Sequence, residues 1–367
     1  MDSIPTLIML PPIGGSQAER WVAQGRLAAA IDLVERLQAA GGFGPILALV
    51  ADRGQRADLA AFGVVSLEPA EERFHFGRAL TRVVRERGLR QLAYFGGASA
   101  PLLTIEHLQA QLETLRIAKK PKAIVNNVYS SDWFMLNQTS LIERIAGRLP
   151  ADNPIGYVLS KELGVEVEGM PAEAASRLDL DTPTDFALVS GHPAAGNHLR
   201  QFLQTGNDQT EERIKQIMHV LNTPASTLSI IGRCSSHVWQ ALERATEIWI
   251  RVFVEERGMV ASRRLANGEV RSLIAEMVNE ITPQAFLRKI GSMSDALLWD
   301  TRVWMGSGRG WPSAGDRFAS DLGLVDQIED TALRELTQAS LDAGFPVLLG
   351  GYGVVAGGIY ALLESMS

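Results

Sequence analysis

Apolar and polar positions divide the first part of the chain into short apolar runs separated by stretches with helical spacing. The apolar runs, each ended by turn-forming residues, predict strands at 6–10, 45–50, 62–67, 92–95 and 123–125. Between them, apolar side chains recur three or four residues apart, as at Leu27, Ile31 and Val34, which predicts helices. This alternation predicts an α/β fold with a Rossmann-like, open, mostly parallel sheet, in which ligands bind beyond the carboxyl ends of the strands.

The pattern changes after about residue 125. A helix is predicted at 136–145, and polar helical sequence at 199–219 follows a turn-rich segment at 191–197. Longer helical segments then separate further apolar runs, which predict strands at 227–231, 248–254, 296–299 and 346–349. We therefore predict two domains, a sheet domain over 1–195 and an additional C-terminal α+β domain over 196–367.

An acid-rich segment in the middle of the chain reads LDLDTPTD. Asp179 and Asp181 are two residues apart, so in an extended segment their carboxylates share one side and repel unless a cation or a donor lies between them. Thr182 and Pro183 predict the start of a helix, with Thr182 as its N-cap and Asp185 in its first turn. Two interpretations are open, a capped helix start or a site for a divalent metal ion.

A glycine-containing loop follows the first predicted strand. Gly14, Gly15 and Ser16, with Arg20 shortly after them, lie between this strand and its helix. The amides of such a loop can approach a phosphate, and a plain tight turn is the alternative.

Asn126 and Asn127 follow the fifth predicted strand and share a polar loop with Asp132. Asparagine pairs are typical of turns, because they tolerate left-handed backbone and bond to the backbone nearby. The alternative is that this loop contacts a ligand at the carboxyl edge of the sheet.

Charged residues also follow predicted strands of the second domain. Asp300 and Arg302 come directly after one strand, Asp316 and Arg317 lie further on, and Arg233 follows another strand. Ion pairs on a surface contribute little to stability, and this is the simpler interpretation. Because guanidinium groups suit phosphates and carboxylates, the alternative is that Arg233, Asp300 and Arg302 bind a substrate in a cleft.

Composition narrows the class of protein. With 35 basic and 42 acidic residues the formal charge is −7, so binding to nucleic acid is not expected. Cys234 is the single cysteine, which excludes an internal disulfide and favours a reducing cytosol. No apolar run approaches about 18 residues, so we expect a cytoplasmic protein that does not enter a membrane. Whether it forms homo-oligomers is left open by the sequence.

Three segments together resemble the MobA-like nucleotidyltransferases, a superfamily that includes the phospholactate guanylyltransferases. LDLDTPTD resembles the Asp-Ile-Asp-Thr-Pro-Glu-Asp signature that closes those domains. PLLT at 101–104 resembles the segment after their first metal-binding aspartate, and the Gly14, Gly15 and Ser16 loop is similar to their N-terminal nucleotide loop. The segments keep the family's order over roughly residues 5–190.

The resemblance implies a sheet of the nucleotide-diphospho-sugar transferase type and assigns roles to individual residues. It assigns nucleotide binding to Gly14, Gly15, Ser16 and Ser99. It assigns contacts to the acceptor or nucleotide to Asn126, Asn127 and Asp132. Catalysis is assigned to Arg20, Asp179 and Asp181, and the two aspartates would also bind Mg²⁺, a hard cation that prefers oxygen ligands. Two departures stand out: Ser99 replaces the family's aspartate, and the lysine expected after the N-terminal loop is missing.

The leading hypothesis is an enzyme, a Mg²⁺-dependent nucleotidyltransferase that joins a nucleoside triphosphate to a small phosphorylated acceptor and releases pyrophosphate. The two departures motivate a second hypothesis, in which a catalytically degenerate domain binds a ligand or acts in an assembly. A third hypothesis is a glycosyltransferase that uses a nucleotide sugar at an Asp-x-Asp metal site. The partners expected for the leading hypothesis are a nucleotide and a small phosphorylated molecule.

Overall fold

The computed structural model describes residues 3–70, 73–206, 208–308 and 310–366. Within these residues the chain forms two compact units. Unit 1 comprises 1–13, 23–179 and 196–200, and unit 2 comprises 14–22, 180–195 and 201–367. Residues 1 and 367, the outer ends of the two predicted domains, lie outside the described residues. No helix of the described part is both long and apolar enough to cross a membrane.

Unit 1 is built on a seven-stranded sheet with the order β3-β2-β1-β4-β6-β5-β7. Its strands are β1 (Ile4–Met9), β2 (Phe43–Leu49), β3 (Val65–Leu67), β4 (Leu92–Gly96), β5 (Lys122–Val125), β6 (Trp133–Leu136) and β7 (Glu166–Gly169). All neighbouring strands pair in parallel except β6, which runs antiparallel to both β4 and β5. The predicted Rossmann-like, mostly parallel α/β sheet is confirmed.

Helices cover both faces of this sheet. They are α1 (Gln17–Ala40), which begins in unit 2, α2 (Arg53–Ala60), α3 (Phe76–Glu86), α4 (Ile105–Ile117), α5 (Ser140–Ile145), α6 (Ile155–Leu163), α7 (Ala174–Arg177) and α9 (Asn197–Leu203), which ends in unit 2. Side chains alternate between the faces, so Ile8 packs with Val34 of α1 on one side and Leu7 packs with Leu80 of α3 on the other. Thr104 caps α4, as its position predicts.

The strand β6 was not predicted, because the sequence placed a loop over 126–133 and a helix over 136–145. The four residues of β6 are all buried, since the strand is interior and covered on both faces. A short apolar run of this kind has no polar alternation that would mark it as a strand. The predicted helix is present as α5, which starts later, at Ser140.

Unit 2 is built on a four-stranded sheet with the order β11-β10-β8-β9. Its strands are β8 (Thr227–Gly232), β9 (Trp249–Val254), β10 (Ala296–Asp300) and β11 (Val347–Gly350). All of them pair in parallel. The sequence predicted an α+β region here, and the structure corrects this to α/β, because helices lie in every connection and allow each strand to return in the same direction.

The helices of unit 2 enclose a separate apolar core. They are α8 (Pro183–Val189), α10 (Asp208–Leu221), α11 (Ser236–Ala245), α12 (Leu273–Ile281), α13 (Pro283–Gly291), α14 (Arg302–Gly306), α15 (Ala314–Asp321), α16 (Thr331–Leu341) and α17 (Gly357–Glu364). In this core the ring of Trp299 on β10 lies 5.3 Å from that of Phe286 and 6.5 Å from that of Trp304. The helix α8 packs against α17 and β11, so the acid-rich segment leads directly into unit 2.

Candidate functional site

The carboxyl edge of the unit 1 sheet has its topological switch point between β1 and β4. From β1 the chain continues to β2 and β3 on one side, whereas β4 lies on the other side. The ends of the two strands approach closely, because a Cβ atom on Gly97 would lie 2.4 Å from Leu10 Cδ2. Open α/β sheets bind ligands beyond such a point, so this edge is the candidate site of unit 1.

Ser99, a predicted nucleotide-binding residue, lies in the loop that follows β4. Its side chain is buried, and its hydroxyl donates to the carbonyl oxygen of Gly96 at 2.9 Å. The hydroxyl therefore stabilises the turn of this loop. A neutral hydroxyl engaged in this way is a weaker metal ligand than a carboxylate.

Asn126 and Asp132 are brought together at the same edge. Asn126 donates through Nδ2 to Asp132 Oδ2 at 2.8 Å, and the Asp132 amide donates back to Asn126 Oδ1 at 2.9 Å. Asn153 donates to the other Asp132 oxygen at 2.8 Å. Two amide side chains therefore fix the orientation of the Asp132 carboxylate beside the start of β6.

Asn127, by contrast, has the turn role that its residue type predicts. Its side-chain oxygen accepts from the Tyr129 amide at 3.1 Å, and its carbonyl oxygen accepts from the Ser131 hydroxyl at 2.8 Å. Both bonds stay within the loop before β6. The prediction that Asn127 contacts a ligand stays a prediction.

The negative charges of three carboxylates act on the buried hydroxyl of Tyr94 on β4. The hydroxyl donates to Asp152 Oδ2 at 2.9 Å. Burial raises the pKa of Tyr94 well above its usual value, and the negative charges of Asp152, Asp132 and Asp179 raise it further. Ionisable side chains from three separate loops therefore concentrate negative charge at one place in unit 1.

Asp179 and Asp181 alternate with two leucines in an extended segment. Leu178 and Leu180 are buried, whereas Asp179 is half-buried and Asp181 is exposed. The division between the two units falls between residues 179 and 180. Mg²⁺ usually takes one or two carboxylates and completes its coordination with waters and substrate phosphates, so this pair of acids fits the ion by donor chemistry.

A different group has the closest arrangement of metal-ligand atoms. Among the described residues, Asp32, Glu35 and His198 form the one group of three whose ligand atoms lie within 4.8 Å of one another. Both Asp32 oxygens already accept backbone amides at the start of α9, from His198 at 3.0 Å and Leu199 at 2.8 Å. Arg36 also acts on the charges of Asp32 and Glu35. The Asp32 carboxylate is thus explained as a cap of α9.

In unit 2, the predicted phosphate loop forms the start of α1. The Ser16 amide donates to Glu19 Oε2 at 3.0 Å, and the Glu19 amide donates to the Ser16 hydroxyl at 3.1 Å. This is a capping box, in which a side chain of the chain itself takes a loop amide. Gly14 leaves room for the Glu19 carboxylate, because a Cβ there would lie 2.2 Å from Oε1. Arg20 donates to the Gly15 carbonyl oxygen at 2.6 Å.

Asp185 is the N3 residue of α8 and, as predicted, Thr182 is the N-cap. Asp185 Oδ2 accepts from the amides of Asp181 and Thr182 and from the Thr182 hydroxyl, at 3.1, 2.7 and 2.9 Å. Burial and the charge of Asp181 raise the pKa of Asp185 to about 7, although the bonds from Thr182 oppose the shift. The capped helix start, one of the two interpretations of this segment, is therefore present.

Gly353 lies directly against this carboxyl group. A Cβ atom at position 353 would lie 1.9 Å from Asp185 Oδ1. Three hydrogen bonds hold the Asp185 carboxylate in place, so it cannot easily move away from an added methyl group. We therefore expect Gly353→Ala to lower the free energy of unfolding by about 1–3 kcal/mol, measured by urea denaturation.

Two further variants test the cause of this loss. Gly191→Ala, where a Cβ meets nothing within 4 Å, should change stability by less than about 0.5 kcal/mol. In an Asp185→Ala background, Gly353→Ala should cost less. If Gly353→Ala lowers the free energy of unfolding equally in both backgrounds, contact with Asp185 is not the cause of the loss.

The charged residues after β8 and β10 form buried or half-buried pairs. Arg233 donates from Nε and Nη2 to the two oxygens of Asp300, at 2.6 and 3.1 Å. Arg302 makes a bidentate pair of the same kind with Asp321, donating to its two oxygens at 3.1 and 2.5 Å. Asp300, Arg302 and Asp321 are all at most 5% exposed, so the interpretation as surface ion pairs is wrong for them.

Asp316 and Arg317 do not pair with each other. Asp316 accepts the amide of Glu329 at 2.8 Å. Arg317 donates to Pro312 and stacks over Trp311 at 4.9 Å. Burial and the charge of Arg302 lower the pKa of Arg317 to about 10. Asp316 and Arg317, although adjacent in sequence, therefore bond to different residues.

The sequence matches no protein-family model and no curated protein. Among solved structures, the chain is similar to a cytidylyltransferase from Leptospira borgpetersenii, with 13% identity and a TM-score of 0.40 over 55% of this chain and 93% of that chain. It is also similar to a 4-diphosphocytidyl-2C-methyl-D-erythritol synthase from Anaerococcus prevotii, with 10% identity and a TM-score of 0.36 over 50% and 94%. A third similarity is to CMP:2-keto-3-deoxy-manno-octonic acid synthetase complexed with CTP, with 9% identity and a TM-score of 0.33 over 46% and 89%.

Sequence reasoning missed four residues of the unit 1 edge, namely Tyr94, Asp152, Asn153 and Arg177. Arg177 donates to the carbonyl oxygens of Asn126 and Met170, at the carboxyl ends of β5 and β7. One signal was present, because a tyrosine inside an apolar strand needs a partner for its hydroxyl. The sequence near Tyr94 does not identify that partner, because Asp152 lies 58 residues further along the chain.

Proposed function

We propose that the chain is a Mg²⁺-dependent nucleotidyltransferase that joins a nucleoside triphosphate to a small phosphorylated acceptor and releases pyrophosphate. The observation that carries the proposal is a set of three acidic residues in unit 1, Asp132, Asp152 and Asp179, whose charges all act on the Tyr94 hydroxyl. It lies on the strand edge where an open α/β sheet binds ligands. Concentrated carboxylates there favour a hard divalent cation, and triphosphates bind as complexes of such cations.

In the proposed reaction an oxygen of the acceptor phosphate attacks the α-phosphorus of the triphosphate. A new P–O bond forms to the acceptor, the bond from the α-phosphorus to the bridging oxygen breaks, and pyrophosphate leaves with that oxygen. Asp179 and Asp181 would hold Mg²⁺, which would neutralise charge on the phosphates. Asp132, fixed by Asn126 and Asn153 at the same edge of the sheet, would act in place of the aspartate that Ser99 replaces.

The roles of the remaining predicted residues stay predictions. Gly14, Gly15 and Ser16 would hold a phosphate only after the Glu19 carboxylate releases the Ser16 amide. Arg20 would then be free to turn from the Gly15 carbonyl oxygen towards that phosphate.

The test is pyrophosphate release from each of the four common nucleoside triphosphates, combined with a set of phosphorylated acceptors. We expect one pair to react, and Asp179→Ala and Asp181→Ala each to lower the rate by at least about tenfold. Asp58→Ala, which removes an exposed carboxylate from α2, should leave the rate unchanged. Absence of triphosphate binding at millimolar concentration with Mg²⁺ would exclude this function. Full activity in both variants would exclude the role given to Asp179 and Asp181.

A ligand-binding protein without turnover is the second candidate. Two observations favour it: the Ser99 hydroxyl is bonded within its loop, and Glu19 holds the Ser16 amide. Thermal unfolding with each triphosphate separates the candidates, because a binding protein is stabilised by its ligand and releases no pyrophosphate.

A further inference from the structure

The strand β9 leaves one side of the unit 2 sheet open. It is the last strand in the order β11-β10-β8-β9, so β8 is its one neighbour. The Trp249 amide donates to the carbonyl oxygen just before β8 at 2.7 Å, and the Glu255 amide donates to the last one of β8 at 2.8 Å. Alternate residues of a strand direct their backbone groups to opposite sides, so those of Ile250, Val252 and Val254 point away from β8. Within the described part of the chain these backbone groups have no hydrogen-bond partner.

The lateral edges of the two sheets at β3, β7 and β11 are protected, unlike this open edge at β9. The strand β3 has three residues, and β7 carries Glu166 and Glu168, which both pair with Lys122. All four residues of β11 are buried. Short length, charge and cover keep sheet edges from pairing with another chain. In contrast, β9 has six residues and is apolar except for Arg251, whose guanidinium donates to the Met293 carbonyl oxygen at 2.7 Å.

Apolar side chains flank the open edge. Trp249 at the start of β9 is 69% exposed, and Val254 at its end is 65% exposed. The N-cap of α12, Ser272, donates to Glu255 directly after the strand, so the strand end lies beside Leu273, which is 75% exposed. Unpaired backbone groups with exposed apolar side chains around them are the features of an edge that takes up a further strand.

The sequence of β9 favours a second copy of itself as that further strand. In an antiparallel pair, outward residues lie opposite outward residues, and a two-fold axis at Val252 sets Ile250 opposite Val254 of the copy. This register pairs the whole strand and gives about six backbone hydrogen bonds. A shift by two residues in one direction would set Arg251 against Arg251, which repel each other. The opposite shift would set Ile250 against Glu256, beyond the end of the strand.

Side chains are complementary across the register centred on Val252. It sets Arg251 opposite Phe253 of the copy, which places a cation beside an aromatic ring. Past the strand ends the same register continues to the exposed Glu247 and Arg257, which carry opposite charges. Each of these pairs occurs twice, because a two-fold axis repeats every contact.

We propose that β9 pairs in antiparallel orientation with β9 of a second copy of this chain, across a two-fold axis at Val252. The partner of the open edge is therefore the chain itself, and the unit 2 sheets of the two copies join into one continuous sheet. The interface uses none of the residues assigned above to Mg²⁺, to the triphosphate or to the acceptor. It is independent of the proposed nucleotidyl transfer.

The first experiment is sedimentation velocity of the full chain at concentrations from about 1 to 100 μM. We expect the wild type to form a dimer. Val254→Lys places a charge on the open edge and should raise the dissociation constant of the dimer at least about tenfold. Val65→Lys makes the same change at a valine of the β3 edge that is 45% exposed, and this matched control should dimerise as the wild type does. A monomeric wild type, or equal dimerisation of a folded Val254→Lys, overturns the proposal.

The second experiment tests the register by cross-linking. Arg251 and Phe253 of the copy form a non-hydrogen-bonded pair in the proposed sheet, with Cα atoms about 4.5 Å apart, which a disulfide can bridge. A mixture of Arg251→Cys and Phe253→Cys chains should therefore form covalent dimers on oxidation. Each variant alone should not, because its two cysteines lie too far apart across the axis. The native Cys234 is buried. Cross-linking of Arg251→Cys alone, or none in the mixture, overturns the proposed pairing.

Discussion

Asp321→Ala is expected to lower the free energy of unfolding of unit 2 by about 3–5 kcal/mol. The Arg302–Asp321 pair is buried, with side-chain exposures of 7% and 0%. Burial opposes the charge of Arg302, yet the neighbouring carboxylates, that of Asp321 first, raise its pKa above its usual value. Without Asp321 the Arg302 guanidinium stays buried, and the charge of Asp300 offsets its burial less well than that of Asp321 does. Urea denaturation followed by tryptophan fluorescence and circular dichroism measures the loss.

Two comparisons show whether burial is the cause. Glu256→Ala breaks the partly exposed pair with Arg264 in the same unit and should cost no more than about 1 kcal/mol. The double variant Arg302→Met with Asp321→Leu removes both charges and should be more stable than Asp321→Ala. A cost below about 1 kcal/mol for Asp321→Ala would mean that Arg302 has adequate partners without it.

The stability of unit 2 is expected to fall as the pH rises from 5 to 8, by about 2–3 kcal/mol from Asp185 alone. The pKa of Asp185 is about 7 in the folded chain, and that of an unfolded aspartate is about 3.9. Between about pH 4 and pH 7, the Asp185 carboxyl group therefore keeps its proton in the folded state but has lost it in the unfolded state. This contribution is fully present below about pH 4 and is lost as the pH rises through 7.

Asp185→Asn tests this dependence, because asparagine copies the neutral acid and does not titrate. The variant should lose the part of the pH slope that Asp185 contributes, in urea denaturation at pH 5 and pH 8. A chelator must be present, so that no divalent cation binds Asp181 next to it. Asp181, Asp321 and Arg302 also act on Asp185, and equal slopes in wild type and variant would assign the dependence to them.

Much of the fold follows from local pattern. The strands β1 to β5 of unit 1 were predicted, because each lies in a short apolar run ended by turn residues. The cap Thr182 was predicted too, since capping depends on residues within one turn of helix. The strand β6 and the parallel order of unit 2 were not, because pairing partners are set by contacts between distant segments.

The candidate sites were predictable only in part. Asn126 and Asp132 were identified because both lie in one short loop, six residues apart. The partners of Arg233 and Arg302 were not, because Asp300 ends β10 whereas Arg302 begins α14, so the two side chains are not held on one side of an extended segment. Asp300 therefore pairs with Arg233, 67 residues away, and Arg302 pairs with Asp321 instead of with the neighbouring Asp300.

The division of the chain between the units has a consequence for the order in which a ribosome delivers them. All segments of unit 1 have been synthesised once residue 200 has emerged, whereas unit 2 combines residues 14–22 and 180–195 with strands that end at 350. The helix α8 packs against β11 and α17, which are among the last segments to be made. During synthesis, α8 and its buried Asp185 must therefore wait for their partners, at a stage when unit 1 can already fold.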